Sequence, residues 1–483
     1  MVASAVTLDP SLNRSPDHVS HIHLLGICGT GMGALAGMLQ SAGYRVSGSD
    51  EHVYPPMSDY LAGLGIPVMS GYRPENLAER PDLVVIGNVI RAVNPEAQAV
   101  AAAGIPYLSF PQTLSRYFID GKTSLVVCGT HGKTTTSSLL ATLLQHAGQE
   151  PSFMIGGIVQ AFGRNFNLGS GPYFVAEGDE YDTAFFDKGP KFLHYQPKIC
   201  ILTSVEFDHA DIYADFAAVQ AAFRRLVKIL PPDGCLVACL DDPTVAEIAA
   251  EASCPVVGYG EAAGRDFRVT DLAVTPNGTT FTITKNGARF GAFTSRMPGR
   301  HNALNSAAVI AVLDRLGIGA ATIASGLSVF QGVRRRQEVR GVERGVTVID
   351  DFAHHPTAVR ETLDALRQAY AGHRLIAVFE PRTNSSRRRV FQEAYVAAFD
   401  HADQVVVREP VALAQLAEEE RFSSAQLVAE LKGQGRDARY FATTEEILAH
   451  LGGQLRPGDV VAILSNGGFD NIHTRLLDLL RQA

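Results

Sequence analysis

The sequence predicts an α/β protein of about three domains. Short apolar runs that read as strands alternate with helical sequence almost from end to end. A chain of 483 residues is too long for a single core. Two glycine-rich loops, at 26–34 and 129–136, each stand between an apolar run and a helical pattern.

Residues 1–20 (MVASAVTLDPSLNRSPDHVS) lack a basic region followed by an apolar core. They read as a flexible leader, not a secretory signal. The first domain, 21–120, opens on a strand at 21–25, the first glycine loop and a helix through Gln40. Further strands are expected at 44–47 (the run ending at Asp50), 83–87 and 106–108. Residues 111–122 then lead into the apolar run 124–128, which places a boundary near residue 121. The central domain, 121–338, continues through strands at 174–176 and 199–204. Its stretch 267–293 is more β-like, and Asn-Gly pairs at 277–278 and 286–287 mark hairpin turns, so this sheet should be mixed. Another boundary falls within 333–341. The last domain, 339–483, restarts with strands at 346–349, 375–379, 404–407 and 460–464, separated by helical sequence.

Composition narrows the function classes. Hydrophobic content of 46% with charged content of 19% describes a soluble globular chain. A net charge of −8 argues against a nucleic-acid surface. No apolar run approaches the length of a membrane span, so no membrane partner is expected. The six cysteines are scattered, several in apolar runs, which fits reduced thiols in a cytoplasm. Cys235 and Cys239 stand too far from other soft ligands for a zinc site.

Gly-Thr-His-Gly-Lys-Thr-Thr-Thr, 129–136, carries the most information. A glycine turn between a buried strand and a helix start aims backbone N–H groups at one point, and the helix dipole adds positive potential there. The site suits a nucleoside triphosphate, with Lys133 reaching the terminal phosphates and the Thr134 hydroxyl on Mg²⁺. Only Thr130 and His131 separate Gly129 from Gly132, a shorter gap than the usual phosphate loop has.

The first loop, Gly26-Ile27-Cys28-Gly29-Thr30-Gly31-Met32-Gly33-Ala34, contains G-x-G-x-x-A, and Asp50 follows about twenty residues on. Taken alone this suggests NAD or FAD. The physics specifies only a diphosphate at a helix N-terminus and an acid near a ribose, which UDP also satisfies. Tight strand–helix packing without a ligand is a further reading. The second phosphate loop, and the lack of any sign of hydride chemistry, favour UDP.

Two acidic clusters follow strand-like runs. Glu177-Gly178-Asp179-Glu180-Tyr181-Asp182 leaves the run 173–176, and Val205-Glu206-Phe207-Asp208-His209-Ala210-Asp211 leaves the run 200–204. A single acidic run reads as a solvated loop. Two of them, each ending a strand in the domain that carries Lys133, point to Mg²⁺ held through oxygen.

With G-T-H-G-K-T-T-T, E-G-D-E-Y-D, E-F-D-H-A-D, G-R-H-N-A-L-N (299–305) and D-D-F-A-H-H-P (350–356), nearly the whole chain after residue 20 resembles the ATP-dependent Mur ligases of bacterial cell-wall synthesis. The resemblance implies a Rossmann-like N-terminal domain for a UDP-sugar, a central P-loop ATPase domain and a Rossmann-like C-terminal domain for the incoming amino acid or peptide. It implies an acyl phosphate made from ATP and attacked by an amine, with ATP and Mg²⁺ as cofactors, in a cytoplasmic monomer or weak homodimer.

Three segments, T-A-F-F-D-K-G-P-K-F-L-H-Y after Asp182, A-V-F-E-P-R-T-N-S (377–385) and S-N-G-G-F-D-N-I-H (465–473), resemble one branch of that family. That branch joins UDP-N-acetylmuramate to the murein tripeptide L-alanyl-γ-D-glutamyl-meso-diaminopimelate in wall recycling; the alternative acceptor is free L-alanine. Two small departures are visible: Gly178 where Ala is usual, and Thr383 and Ser385 where Ser and Thr are expected.

The implied site residues follow the motifs. Lys133, Glu177, His209 and Arg336 are catalytic, and Thr134 and Glu177 hold one Mg²⁺ with His209 at a second. Gly129, Thr130, His131, Gly132, Thr134, Thr135, His301, Asn302 and Asp351 join Lys133 and Arg336 around ATP. Gly29, Thr30, Gly31, Met32, Asp50 and Asn88 take the UDP-sugar. His355, Arg382 and Asn384 take the tripeptide, an Arg fork suiting its carboxylates; for His354 and His355, capping of the next helix is the competing reading. Several family members carry a carbamylated lysine about fifteen residues after the histidine. Here the region reads Ala222-Phe223-Arg224-Arg225, so no carbamate is expected.

Overall fold

A computed structural model describes residues 7–55, 57–411 and 416–482. Three sheets occupy consecutive spans of the chain. The first contains β1 (His21–Leu25), β2 (Arg45–Asp50), β3 (Val68–Ser70), β4 (Leu83–Ile86) and β5 (Tyr107–Ser109). Their order is β3-β2-β1-β4-β5, and every pair is parallel. Order reverses between β1 and β4, so a ligand crevice is expected beyond their carboxyl ends.

The central sheet is larger. Its strands are β6 (Thr123–Cys128), β7 (Ser152–Val159), β8 (Arg164–Asn167), β9 (Tyr173–Gly178), β12 (Ile199–Leu202), β13 (Cys235–Cys239), β14 (Val256–Gly260), β15 (Phe267–Thr275), β16 (Gly278–Lys285) and β17 (Ala288–Ser295). The separate pair β10 (Asp182–Ala184) and β11 (Asp187–Pro190) forms a small hairpin. The order is β17-β16-β15-β14-β13-β12-β6-β9-β7-β8, parallel in the middle and antiparallel at both margins. This is the expected mixed sheet, and the two Asn-Gly pairs lie at the turns flanking β16. Asn286 and Gly287 both have positive φ, as a tight hairpin turn requires.

The third sheet holds β18 (Glu338–Glu343), β19 (Val346–Asp351), β20 (Leu375–Phe379), β21 (Gln404–Arg408), β22 (Asp437–Phe441) and β23 (Val460–Leu464). Its order is β18-β19-β23-β20-β21-β22, with only β18 antiparallel. Strands β20, β21 and β23 are buried nearly throughout, as parallel strands covered on both faces must be.

Register positions the chemistry. In the central sheet Cys128, the last residue of β6, lies opposite Gly178 of β9 and Leu202 of β12. The phosphate loop therefore leaves the sheet flanked by both acidic clusters. Beneath it the helix Arg300–Arg315 buries most of its length in the core shared with the helix Lys133–His146.

The leader needs correction over its described part. Leu8 is buried in the first domain's core, the Asn13 side chain bonds Tyr107 O and Gln112, and the Ser15 and Tyr117 hydroxyls meet at 2.8 Å. Residues 7–20 are thus a packed strap; residues 1–6 of the expected leader lie outside the described residues. The departure at Gly178 also has a steric cause. A Cβ there would stand 2.3 Å from Cys128 Sγ, so the thiol fills the volume an alanine methyl would take.

Candidate functional site

The phosphate loop is held from beneath. Thr130 N–H donates to Ser204 O at 2.9 Å and His131 N–H to Ser204 Oγ at 3.1 Å. Gly129 and Gly132 have positive φ, and a Cβ on either would strike Thr203 or Asn305. With those two amides engaged, the loop's contribution to an anion begins at the first helical turn. The N–H groups of Lys133, Thr134 and Thr135 have no acceptor within their own helix. Thr130 and His131, expected at ATP, turn their side chains to Glu206: Thr130 Oγ1 accepts from Glu206 N–H at 2.9 Å, and His131 Nε2 lies 3.3 Å from Glu206 Oε2.

Lys133 folds back over the loop. Its Nζ donates to Gly129 O at 2.7 Å and to Glu180 Oε2 at 2.9 Å. Burial works against its charge, but Glu180 and Asp179 outweigh that and raise its pKa. Glu180 Oε1 also lies 3.3 Å from His209 Nε2, and the Tyr213 hydroxyl donates to Glu180 O. Burial and then the Glu180 hydrogen bond act on His209 in opposite senses, with a net rise. Glu180, which motif reading left without a role, is therefore the carboxylate between Lys133 and His209. Its position in an acidic run was the only available signal.

Thr134, Glu177 and Arg336 converge as expected. Arg336 Nη2 donates to Thr134 Oγ1 at 3.2 Å from the segment that leads into the third sheet, and its guanidinium stacks over Phe352 at 4.5 Å. Glu177 Oε1 accepts from Gly156 N–H at 3.0 Å, and its partners include Thr134. Burial, then Asp179, raises the Glu177 pKa. A hydroxyl and a carboxylate form a hard oxygen pair of the kind Mg²⁺ takes. His209 is directed to Glu180, away from this pair.

The remaining nucleotide candidates form one wall. Asn302 Nδ2 donates to Pro298 O at 2.8 Å and reaches Gln337 Oε1 at 3.4 Å. His301 Nδ1 is buried without a hydrogen-bond partner, and burial lowers its pKa. Asp351, expected around ATP, holds backbone: Oδ1 accepts from Ala353 N–H at 2.7 Å and Oδ2 from Gln337 N–H at 2.8 Å. Both oxygens hold backbone, which fixes the crossover into the third sheet next to Arg336.

At the first loop, the helix Thr30–Ser41 starts behind Gly29, with Gly29 and Thr30 exposed and Gly31 partly so. Met32 is 7% exposed, so its side chain belongs to the core and only its backbone faces the crevice. Asp50 Oδ2 accepts from Cys28 N–H at 2.9 Å and Oδ1 from His52 N–H at 3.0 Å. It braces the loop. Asn88 follows β4 and lines a cavity of about 410 Å³ with Arg91, Phe185 and Lys188, across from the hairpin β10–β11.

Of the peptide candidates, His355 makes helix-capping contacts. It caps the helix Pro356–Ala369, Nδ1 accepting from Thr357 N–H at 3.3 Å, while Nε2 lies 3.1 Å from Phe207 O. Burial and then His131 push its pKa down to about 4, so the ring is neutral. The capping reading accounts for these contacts. Arg382 is half exposed, 3.6 Å from Glu380, and Asn384 Nδ2 donates to Asp211 Oδ2 at 2.8 Å. Both sit on the C-terminal domain, and Asn384 touches the loop that carries His209.

Comparison with known proteins decides the family. The Mur ligase family catalytic domain matches residues 21–120, the Mur ligase middle domain 127–313, and the Mur ligase glutamate ligase domain 334–467. A ligase of Escherichia coli (strain K12) named UDP-N-acetylmuramate–L-alanyl-γ-D-glutamyl-meso-2,6-diaminoheptandioate ligase is 39% identical over 459 residues, 95% of this chain and 97% of that one. The chain belongs to the Mur ligase family. Among solved Mur ligases, a murein peptide ligase from Psychrobacter arcticus 273-4 matches at 32% identity and a TM-score of 0.71, covering 96% of this chain and 99% of that one. A UDP-N-acetylmuramate-alanine ligase from Thermotoga maritima matches at 26% identity and a TM-score of 0.78, covering 96% and 100%.

Proposed function

We propose that this chain is an ATP-dependent ligase joining UDP-N-acetylmuramate to L-alanyl-γ-D-glutamyl-meso-diaminopimelate, in the cytoplasm and in peptidoglycan recycling. The observation that carries this reading is the 39% identity, over 95% of the chain, to the E. coli enzyme named for that reaction. No helix among the described residues is long and apolar enough to cross a membrane, which is compatible with it.

A carboxylate is a poor acyl donor. Transfer of the γ-phosphoryl group to it makes an acyl phosphate, and attack by the peptide amine then expels phosphate from a tetrahedral intermediate. The protein's part is positioning and charge neutralisation. The first-turn amides of the helix Lys133–His146 receive phosphate oxygens. Lys133 exchanges Glu180 for the transferring phosphoryl group, and Arg336 brings a second positive charge from the C-terminal side. Thr134 and Glu177 would hold Mg²⁺, which would neutralise phosphate charge. The exchange leaves Glu180 with His209, so the buried carboxylate keeps a partner. The Gly29–Met32 backbone takes the UDP diphosphate, while Arg382 and Asn384 face the acceptor.

The test is acceptor choice. Purified chain is incubated with UDP-N-acetylmuramate, ATP, Mg²⁺ and either the tripeptide or L-alanine, and the products are weighed. Tripeptide adduct with matching ADP is expected. ADP release and adduct with L-alanine alone would replace the recycling reading by the alanine ligase.

A further inference from the structure

We propose that His131, Glu206 and His355 form a transition-metal site, suited to Zn²⁺, that ties the C-terminal domain to the phosphate loop. His131 Nε2 lies 3.3 Å and His355 Nδ1 3.7 Å from the same oxygen, Glu206 Oε2, and the three donor atoms fall within 4.8 Å of one another. A tetrahedral ion bound at 2.0–2.1 Å sets its donors about 3.3 Å apart, so a small inward movement of two imidazoles, in which His355 Nδ1 gives up its long 3.3 Å bond from Thr357 N–H for the ion, completes the geometry. Each ligand comes from a different element: the loop 129–132, the segment after β12, and the N-cap of the helix Pro356–Ala369.

The surroundings have the character of a second ligand shell. A metal-binding imidazole usually gives its other ring N–H to a carbonyl, and His355 Nε2 has Phe207 O at 3.1 Å. The Thr357 hydroxyl donates to Glu206 Oε2 at 2.6 Å and aims the carboxylate. The Glu206 backbone N–H donates to Thr130 Oγ1 at 2.9 Å, which anchors that segment to the phosphate loop. The rings of His131 and His355 stand 4.7 Å apart, and Phe391 packs on His355 at 4.9 Å.

Two imidazoles and one carboxylate select Zn²⁺, Co²⁺ or Ni²⁺ over Mg²⁺. The site is thus separate from the all-oxygen pair Thr134 and Glu177. An ion here would clamp the C-terminal domain against the loop.

Titration of the full chain with CoCl2 alone reads the site. One equivalent should bind with the visible absorption of low-coordinate Co²⁺, displaced by Zn²⁺ and not by excess Mg²⁺. Thr357→Val keeps all three ligands and should weaken binding about 10-fold. His355→Asn retains a helix-capping oxygen and should abolish the absorption, whereas His146→Asn, a surface change, should leave it intact. A wild-type spectrum of hexa-aqua Co²⁺ only, or absorption that survives in folded His355→Asn, overturns the proposal. Should that variant fail to fold, unchanged Co²⁺ affinity in Thr357→Val overturns it as well.

Discussion

The two glycine loops share a construction and differ in what surrounds them. Each leaves the carboxyl end of a parallel strand and enters a helix, and each has an acidic residue bracing or flanking it. At the first loop the neighbouring strands end in Asp50 and, just past β4, Asn88, and the crevice holds no lysine of its own loop. At the second, β9 and β12 lead into Glu177–Asp182 and Glu206–Asp211, and Lys133 sits between them. On the proposed function, one fold element would bind a diphosphate passively in the first domain and handle a reacting phosphate in the second. The loop supplies the cradle; adjacent strand ends supply the chemistry.

The largest effect expected is at Lys133. Lys133→Met should lower ADP formation about 1000-fold and leave calorimetric binding of UDP-N-acetylmuramate unchanged. Because it strips a buried partner from Glu180, it should also cost about 3 kcal/mol in urea unfolding. Normal turnover in this variant would erase the distinction between the loops. At the first loop the effect should be smaller and of another kind. Asp50→Ala frees the Cys28 amide, so KM for the UDP-sugar should rise about 10-fold with kcat unchanged. A fall in kcat instead would mean that the first loop takes part in the chemistry. A third effect leaves turnover aside and concerns Cys28 itself, whose thiol burial and Asp50 push up to about 11. A raised thiol pKa leaves less thiolate, so alkylation at pH 8 should run about 100-fold slower than for an unperturbed cysteine. The rate should climb with pH toward 11, and Asp50→Ala should accelerate it.

Much of this was legible in the residues. Strands at 83–86 and 375–379 are unbroken apolar runs, and buried parallel strands write themselves that way. The edge strands β18 and β22 were not, because one or both of their faces meet water and their sequences, Glu-Val-Arg-Gly-Val-Glu and Asp-Ala-Arg-Tyr-Phe, carry charge. Lys133 and Thr134 stand out from the glycine loop and its spacing, whereas the choice of Glu177 within its acidic run comes from the family resemblance. The Glu180 bridge was not legible, since it depends on which way a side chain leaves the end of β9. His355 shows the converse: its motif suggested a substrate contact, while the backbone uses it as a cap. Asp351 is similar, a carboxylate whose two oxygens are both occupied by amides.

The most direct measurement follows oxygen. UDP-N-acetylmuramate labelled with ¹⁸O in its lactyl carboxylate is turned over with ATP and the tripeptide, and the released phosphate is weighed. An acyl phosphate formed at Lys133 passes one carboxylate oxygen to phosphorus, so the phosphate should carry ¹⁸O. Unlabelled phosphate alongside full ligation would contradict it.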